Sequence, residues 1–433
     1  MTATLTATEP RRRERFGGLF FWILLFFFDY YAFPVAWVPG LHLAHPGKLV
    51  GIGVIVALLL NINSFAEALL PDVMLILLLV VQMGLASIFS PVWKGGAIHA
   101  TETFSQVVLI VFAMALAVRT GDRLRKLVFV QTASAAAIGI LSLVSGVHRG
   151  GRLTAALAKS NYSNANDLAL ALVLTVPFCF YFFFRSRGPL RKAIWAIAML
   201  AMSYTVLLTA SRGGFIALAV AAGICLWEYG IKARRLALIL AAALAAVAIF
   251  AVAGTKMQDR LSGTLSASSD YEASHASYEA RKAVLITSLR VTAEYPLFGV
   301  GPGDFPSISG VWNQTHNLYT TLSAEAGLPA LVIFLLMYRR AFADLREARR
   351  RMPDSDLSNL AGSLRASLLA FALAGLFFPD AYMFFPYLML ALATAILQTA
   401  RNQDAEIQAP ELVHGPARAY GFRTVSRSAV PAR

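Results

Sequence analysis

Long apolar runs separated by short polar segments extend along most of the chain. An α-helix of about 20 residues crosses the roughly 30 Å hydrocarbon core of a bilayer, and the runs approach or reach that length. The pattern predicts twelve membrane spans, of which the second and fourth are the shorter ones. They are Phe16–Phe33, Leu49–Ile62, Val73–Ser90, Phe104–Val118, Leu127–Val147, Ala165–Phe184, Ala193–Ala210, Gly214–Tyr229, Leu236–Ala253, Leu318–Met337, Leu360–Phe378 and Ala381–Leu397.

Composition excludes an ordinary soluble protein. Of the 433 residues, 58% are hydrophobic and 14% are charged, whereas a soluble chain carries about 25% charged residues. Cys179 and Cys225 both lie inside apolar runs, which excludes a disulfide framework. The fold predicted is therefore an all-α polytopic membrane protein of about twelve transmembrane helices, with one long loop that contains short helices.

The distribution of cations predicts the orientation. With twelve spans both termini share a side, and placing them in the cytoplasm leaves 27 of the 38 Lys and Arg residues in cytoplasmic segments. This count includes Arg365, which lies five residues inside the predicted eleventh span and is counted with the cytoplasmic segment before it. The bias follows the positive-inside rule and accounts for most of the net charge of +14, so nucleic acid is not needed as a partner.

Eleven cations remain on the outer side, where the rule does not place them. Six of the seven histidines lie there too, which indicates that this face carries the function. The outer cations are Lys48, Lys94, Arg149, Arg152, Lys159, Arg212, Lys256, Arg260, Arg281, Lys282 and Arg290.

Two outer connections are long. The first, Gly146–Asn164, carries three of those cations and leads into an Asn-rich run. The second, Gly254–Thr315, is long enough to be functional. It begins with a Ser/Gly-rich stretch expected to be mobile, Leu261–Ser269, and continues with a predicted helix, Tyr278–Ala293, that ends before Pro296.

The glycines that follow this helix predict a tight loop. Gly299, Gly301 and Gly303 have neither the strand before them nor the helix after them that a nucleotide loop needs. The predicted division of the chain is residues 1–15 as a cytoplasmic N-terminus, 16–253 as spans one to nine, 254–315 as a periplasmic loop domain, 316–400 as spans ten to twelve, and 401–433 as a disordered cytoplasmic tail.

Several outer residues suit chemistry on an anionic substrate. Arg212, in Ser-Arg-Gly-Gly, is either a snorkelling side chain or an anion site whose glycines admit a phosphate to the backbone. His316 suits a general base, since the reference pKa of histidine is about 6.5. Glu325 lies about half a helical turn off the His316 face, which favours a structural role. Asn164 belongs to a polar cluster at the start of span six, either as a helix cap or as a cavity lining.

Three segments resemble the O-antigen ligase and polymerase superfamily. They are Ser211-Arg-Gly-Gly-Phe-Ile-Ala-Leu-Ala219, the block from Arg281 through Tyr295-Pro-Leu-Phe-Gly-Val-Gly-Pro-Gly-Asp-Phe305 to His316-Asn-Leu-Tyr-Thr-Thr-Leu-Ser-Ala-Glu-Ala-Gly327, and the Asn-rich run Ser163-Asn-Ala-Asn-Asp-Leu-Ala169. The resemblance covers roughly residues 150–335 in the family's order. Pro329 and Ala330 depart from the Gly-rich end that is common in the family.

The resemblance implies an inner-membrane glycosyltransferase. Such enzymes take a glycan from undecaprenyl pyrophosphate on the periplasmic face, and the classical ligase joins it to lipid A-core. The implied catalytic residues are His316, Arg281 and Arg212, with membrane lipids around the chain and no cofactor. The further candidates for substrate binding are Arg149, Arg152, Lys159, Asn164 and Asn317.

The charge pattern agrees with a reaction that needs no metal. The first outer loop, Pro34–Lys48, has no carboxylate that could hold one, and His42 and His45 are too few ligands. Arginines would then stabilise the departing pyrophosphate.

Three alternatives remain open. An O-antigen polymerase and a protein O-oligosaccharyltransferase would share the donor. A lipid-linked glycan transporter is of a different class, and it would favour inverted repeats, which the chain lacks.

Overall fold

The computed structural model is a bundle of long α-helices, and it describes residues 16–149, 152–155, 162, 164–231, 235–237, 240, 244, 269–310, 314–379 and 381–408. Eleven predicted spans correspond to helices in these ranges, and the ninth, Leu236–Ala253, falls largely outside them. The helices are α1 (Gly17–Ala32), α2 (Pro46–Leu59), α3 (Pro71–Ile88), α4 (Lys94–Ala117), α5 (Gly121–Ser145), α6 (Ala165–Arg185), α7 (Pro189–Leu208), α8 (Arg212–Cys225, continued by a π-helical turn, Leu226–Ile231), α9 (Ser269–Glu294), α10 (Phe305–Ile308), α11 (Leu318–Arg351), α12 (Asp356–Ala374) and α13 (Phe384–Gln408).

The predicted all-α polytopic membrane class is confirmed. Within the described ranges, 10 helices are long and apolar enough to cross a membrane, and the shorter α1 is also apolar. The two short predicted spans are longer than expected. The second gains a 3₁₀ turn and runs over Leu41–Leu59. The fourth begins at Lys94, because its polar first turns lower the hydropathy of a stretch that is nevertheless helical.

Two span ends were wrong on the cation-rich side. Helix α11 continues to Arg351, well past the predicted Met337. Arg365 lies inside α12, within the predicted bounds of the eleventh span, so its count among the cytoplasmic connections was wrong. Helix α13 continues to Gln408, so the predicted tail from Arg401 begins as helix. Charged residues ended the apolar pattern at both span ends, although they do not end a helix.

The two long connections contain small elements. Gly146–Asn164 includes an antiparallel hairpin, β1 (Val147–Arg149) and β2 (Arg152–Thr154), in which Arg149 pairs with Arg152 and Val147 with Thr154. The sequence pattern did not indicate this hairpin. Helix α9 confirms the predicted loop helix and starts nine residues earlier, at Ser269. Residues 261–268 of the stretch expected to be mobile lie outside the described ranges.

Helix α6 is the centre of the bundle. Almost every residue from Ala165 to Phe182 is buried, as expected for a helix that is apolar on all sides. Helices α7, α8 and α12 pack around it, while α11 packs between α3 and α13. Other helices expose apolar side chains such as Leu49 and Ile197, which suits lipid contact.

The two ends of the bundle differ in chemistry. At the end where α6, α8 and α11 begin, called the loop end, Leu318 N donates to Gly375 O at 2.8 Å and Tyr162 Oη donates to Tyr31 O at 2.6 Å. The opposite, arginine-rich end holds ion pairs between arginine and carboxylate side chains. Examples are Arg349–Glu228, Arg340–Asp72, Arg125–Asp356 and Arg119–Glu67. By the positive-inside rule the arginine-rich end is expected to face the cytoplasm, and this orientation remains a prediction.

Candidate active site

Arg212 is the first residue of α8 and lies exposed at the loop end. Ser211 caps the helix, since its Oγ accepts from Gly214 N at 3.2 Å. The preceding Ala210 has a left-handed φ of 47°, so the chain turns sharply between α7 and α8. The cap and the turn fix the point at which the Arg212 side chain leaves the protein surface.

The two glycines after Arg212 have a packing role. A Cβ on Gly213 would lie 2.8 Å from Phe377 Cβ, and a Cβ on Gly214 would lie 2.8 Å from Ala169 Cβ. Both glycines are buried. Neighbouring segments fill the space that a Cβ would occupy at both glycines, while contact of a phosphate with their backbone remains a prediction. The two glycines let α8 approach α6 and the segment after α12.

Arg281 continues the packed stripe of α9. Val284, Ser288 and Val291 are buried along this stripe, with the i, i+4, i+7 spacing of one helix face. Val284 and Val291 contact Val300, Phe305 and Ala324. Thr292 Oγ1 and Ser323 Oγ are 2.9 Å apart, so α9 is fixed against α11.

The guanidinium groups of Arg281 and Arg212 are electrostatic neighbours. Partial burial is the larger effect that lowers the pKa of Arg281, and the positive charge of Arg212 lowers it further. Two like charges held together create a strong positive potential that an anion would relieve. The structure thus brings together two arginines that are far apart in sequence.

His316 stands immediately before the α11 cap. Asn317 caps the helix, because its Oδ1 accepts from Tyr319 N at 2.9 Å and from Thr320 N at 3.2 Å. The imidazole of His316 is therefore not used as the cap. Its backbone φ of 54° is left-handed, a conformation that costs a non-glycine residue roughly 1–2 kcal/mol. Such strain occurs preferentially at functional sites.

The charge of Arg281 also affects the pKa of His316. Partial burial lowers the pKa of His316 below its ordinary 6.5, and the charge of Arg281 lowers it further. Both effects favour the neutral imidazole at neutral pH. Arg281 thus acts electrostatically on both Arg212 and His316.

Arg152 connects the hairpin to two neighbouring helices through hydrogen bonds. Its Nε donates to Thr209 O at 3.0 Å and its Nη2 donates to Asn166 Oδ1 at 2.6 Å. These bonds join β2 to the end of α7 and the start of α6. Substrate binding by Arg152 remains a prediction. The structure does not describe the side chain of Arg149 or any part of Lys159.

Asn164 is a helix cap, as one reading of the Asn-rich run predicted. Its Oδ1 accepts from Asn166 N at 2.8 Å and from Asp167 N at 3.0 Å, and its Nδ2 donates to Asp167 Oδ2 at 2.7 Å. Asn161 lies outside the described ranges. Contact of Asn164 or Asn317 with substrate remains a prediction.

Main-chain contacts dock the glycine loop onto the start of α11. Val300 N donates to Ala324 O and Gly301 N donates to Glu325 O, both at 2.9 Å. The buried Glu325 carboxylate accepts from Gly303 N at 2.9 Å. This contact with the glycine loop supports the predicted structural role of Glu325. Positive φ values at the three loop glycines confirm the predicted tight loop.

Polar residues at the end of α3 also hold the loop, and the sequence argument missed them. Gln82 Nε2 donates to Leu297 O at 2.7 Å and to Ala326 O at 2.9 Å. Ser90 Oγ lies 2.7 Å from Val300 O and 2.9 Å from Asp304 Oδ2, and its one hydroxyl proton is donated to one of these oxygens. Burial raises the pKa of Asp304. The signal available in the sequence was the presence of Gln82 inside an apolar span, where a polar side chain needs a partner.

Within the described ranges, no group of three or more His, Cys, Asp or Glu side chains could hold a metal ion. The metal-free reaction remains a prediction.

Fold and site together define a multi-pass membrane protein with a cationic site, two arginines beside a histidine, at one end of its helices. The family model described as O-antigen ligase matches residues 197–335. This match supports membership of the O-antigen ligase/polymerase superfamily, and the family indicates a glycosyltransferase-like ligase or polymerase. The matched segment contains Arg212, Arg281 and His316. No curated protein matches the chain significantly.

Proposed function

We propose that the chain is an inverting, metal-independent O-antigen ligase of the bacterial inner membrane. It transfers O-antigen glycan from undecaprenyl pyrophosphate to a hydroxyl of lipid A-core. The reaction takes place at the loop end, which the cation bias assigns to the periplasm.

The electrostatic coupling of Arg281 to both Arg212 and His316 is the observation that carries this proposal. A lipid pyrophosphate is the activated donor that a site without ATP requires. When it departs it takes the bonding electron pair, and negative charge develops on its phosphate oxygens. Two neighbouring guanidinium groups stabilise that charge, and removal of one such donor typically lowers turnover about 10²–10³-fold.

His316 is the proposed general base. The acceptor hydroxyl oxygen attacks the anomeric carbon while the bond from that carbon to the pyrophosphate oxygen breaks. The hydroxyl proton moves to a neutral ring nitrogen of His316. Direct displacement inverts the anomeric configuration. The lowered pKa keeps the imidazole ready to accept a proton at neutral pH.

The test is glycan transfer by purified protein, supplied with lipid-linked glycan and lipid A-core in the presence of a chelator. The wild type should transfer, whereas His316→Ala should lose transfer and still bind donor. His99→Ala is the matched control, because His99 is an exposed histidine on the same predicted side and should leave the rate unchanged.

Two outcomes would count against the proposal. Normal transfer by His316→Ala would remove this residue from the mechanism. Loss of wild-type transfer on chelation would overturn the metal-free reaction. Parallel assays with glycan repeats and with protein acceptors identify the acceptor, and transfer to either one in preference to lipid A-core would replace the ligase assignment.

A further inference from the structure

A cavity of about 880 Å³ opens at the arginine-rich end, between α8, α11 and α12. It is far from the loop-end site and has no role in the proposed reaction. Its walls combine apolar side chains, including Trp227, Ile231 and Leu369, with four arginines. Trp227 is 59% exposed and Ile231 is 49% exposed, so the apolar wall is open to the surroundings of the bundle.

The charge in this cavity is only partly balanced. Arg349 binds Glu228 through two hydrogen bonds of 2.9 and 3.0 Å, and Arg365 lies 3.6 Å from the same carboxylate. Arg346 and Arg350 also line the cavity. Neither of them has an ion-pair partner among the described residues. Among the described residues that line the cavity, four are arginines and one is a carboxylate, Glu228.

Arg365 lies within α12, and its side chain is 46% exposed. It lies at the midpoint of α12, about 14 Å along the axis from either end. An arginine at this depth is costly and usually marks a functional contact. The side chains of α12 lean toward its N-terminus, which is at the arginine-rich end, so the guanidinium reaches the cavity.

The helix that carries Glu228 is locally irregular at the same place. Residues Leu226–Ile231 form a π-helical turn, and such turns often occur at functional sites. Lys232, Arg234 and Arg235 follow directly in the sequence and add positive charge to this part of the chain.

We propose that this cavity binds one anionic phospholipid of the surrounding leaflet. The phosphate lies among Arg346, Arg350 and Arg365, and the acyl chains lie along the wall at Trp227 and Ile231. Positive charge selects an anionic head group, and the open apolar wall selects a lipid over a soluble phosphate. The inference does not depend on the proposed transferase activity.

The test is titration of delipidated protein in a neutral detergent, with bound lipid counted by native mass spectrometry. Phosphatidylglycerol and phosphatidylcholine with identical chains are compared. The wild type should bind the first phosphatidylglycerol more tightly than the first phosphatidylcholine. The double variant Arg346→Gln/Arg350→Gln should weaken that first binding about thirtyfold, from about 1 kcal/mol per cation near a membrane surface.

The matched control is Arg187→Gln/Arg191→Gln. It removes two exposed cations from the same end of the bundle and should leave the first affinity within about twofold, since neither residue lines the cavity. Thermal unfolding checks that both variants are folded. Arg365→Gln is a second test variant, and it should also weaken binding of the first phosphatidylglycerol. Arg349 still neutralises Glu228 in that variant, so no carboxylate is left unpaired.

Three results would overturn the proposal. The first is equal loss of binding in the cavity variants and the control pair, which would mean non-specific attraction. The second is equal affinity for the two lipids. The third is glycerol 3-phosphate binding as tightly as phosphatidylglycerol, which would mean a soluble anion site.

Discussion

Docking of the glycine loop onto α11 predicts that Gly299→Ala is far more harmful than Gly303→Ala. A Cβ on Gly299 would lie 2.4 Å from the Glu325 carbonyl carbon and 2.6 Å from Ala324 O. These are main-chain atoms that cannot rotate away. A Cβ on Gly303 would meet only Ala100 Cβ, at an ordinary 3.8 Å.

The magnitudes follow from two contributions. Both glycines have left-handed φ values, 65° at Gly299 and 82° at Gly303, so alanine costs roughly 1–2 kcal/mol at either position. Gly299→Ala adds a clash of about 1–3 kcal/mol. The expected loss of stability is therefore about 2–5 kcal/mol for Gly299→Ala and about 1–2 kcal/mol for Gly303→Ala.

The assay is thermal denaturation of the two purified variants in the same detergent, read by intrinsic fluorescence. Gly299→Ala should unfold at the lower temperature and should also lose glycan transfer, because the docked loop holds α9 and its Arg281 against the start of α11. Equal unfolding temperatures for the two variants would refute the docking of the loop and the positioning that depends on it.

Two further substitutions test the arginine site and the buried carboxylate. Arg212→Lys keeps the charge but loses the bidentate hydrogen bonding of the guanidinium group, so kcat/KM should fall about a hundredfold. Arg290→Lys, an exposed change on α9, is the control. A wild-type rate in Arg212→Lys would argue against pyrophosphate contact. Glu325→Gln keeps a side-chain oxygen that accepts from Gly303 N, so this variant should unfold near the wild-type temperature. Glu325→Leu leaves that amide unpaired and should lose about 1–3 kcal/mol of stability. Equal unfolding temperatures for the two variants would show that the hydrogen bond contributes little to stability.

The sequence predicted the fold well because bilayer thickness imposes a strong length requirement on apolar helices. It failed where charge and helix coincide. Arg365 lies within α12 because ion pairing and snorkelling make an arginine tolerable inside a span, and a count of charges does not detect either effect.

The candidate site was predictable by residue type but not by arrangement. Arg212, Arg281 and His316 were indicated by cations on the outer side and by resemblance to the family. Their electrostatic coupling depends on tertiary packing, namely the docking of α9 on α11 through Val284 and Val291. The sequence also did not reveal that Gly213 and Gly214 serve helix contact, because a glycine pair suits both anion binding and close packing.

The central claim is that His316 is the base and that Arg281 lies beside it. The most direct test is the pH dependence of kcat/KM for glycan transfer in wild type, Arg281→Gln and Lys282→Gln. This parameter reports the free enzyme. The wild type should lose activity as pH falls through a midpoint below 6.5, the ordinary pKa of histidine, because burial and Arg281 lower the pKa of His316.

Replacing Arg281 with glutamine removes a neighbouring positive charge, so the pKa of His316 should rise and the acidic limb of the residual activity should move to higher pH. The midpoint should stay below 6.5, because the larger effect of burial remains. Lys282→Gln removes the adjacent cation and should not move the limb. An acidic limb that is unchanged in Arg281→Gln, or a wild-type midpoint above 6.5, would contradict the account.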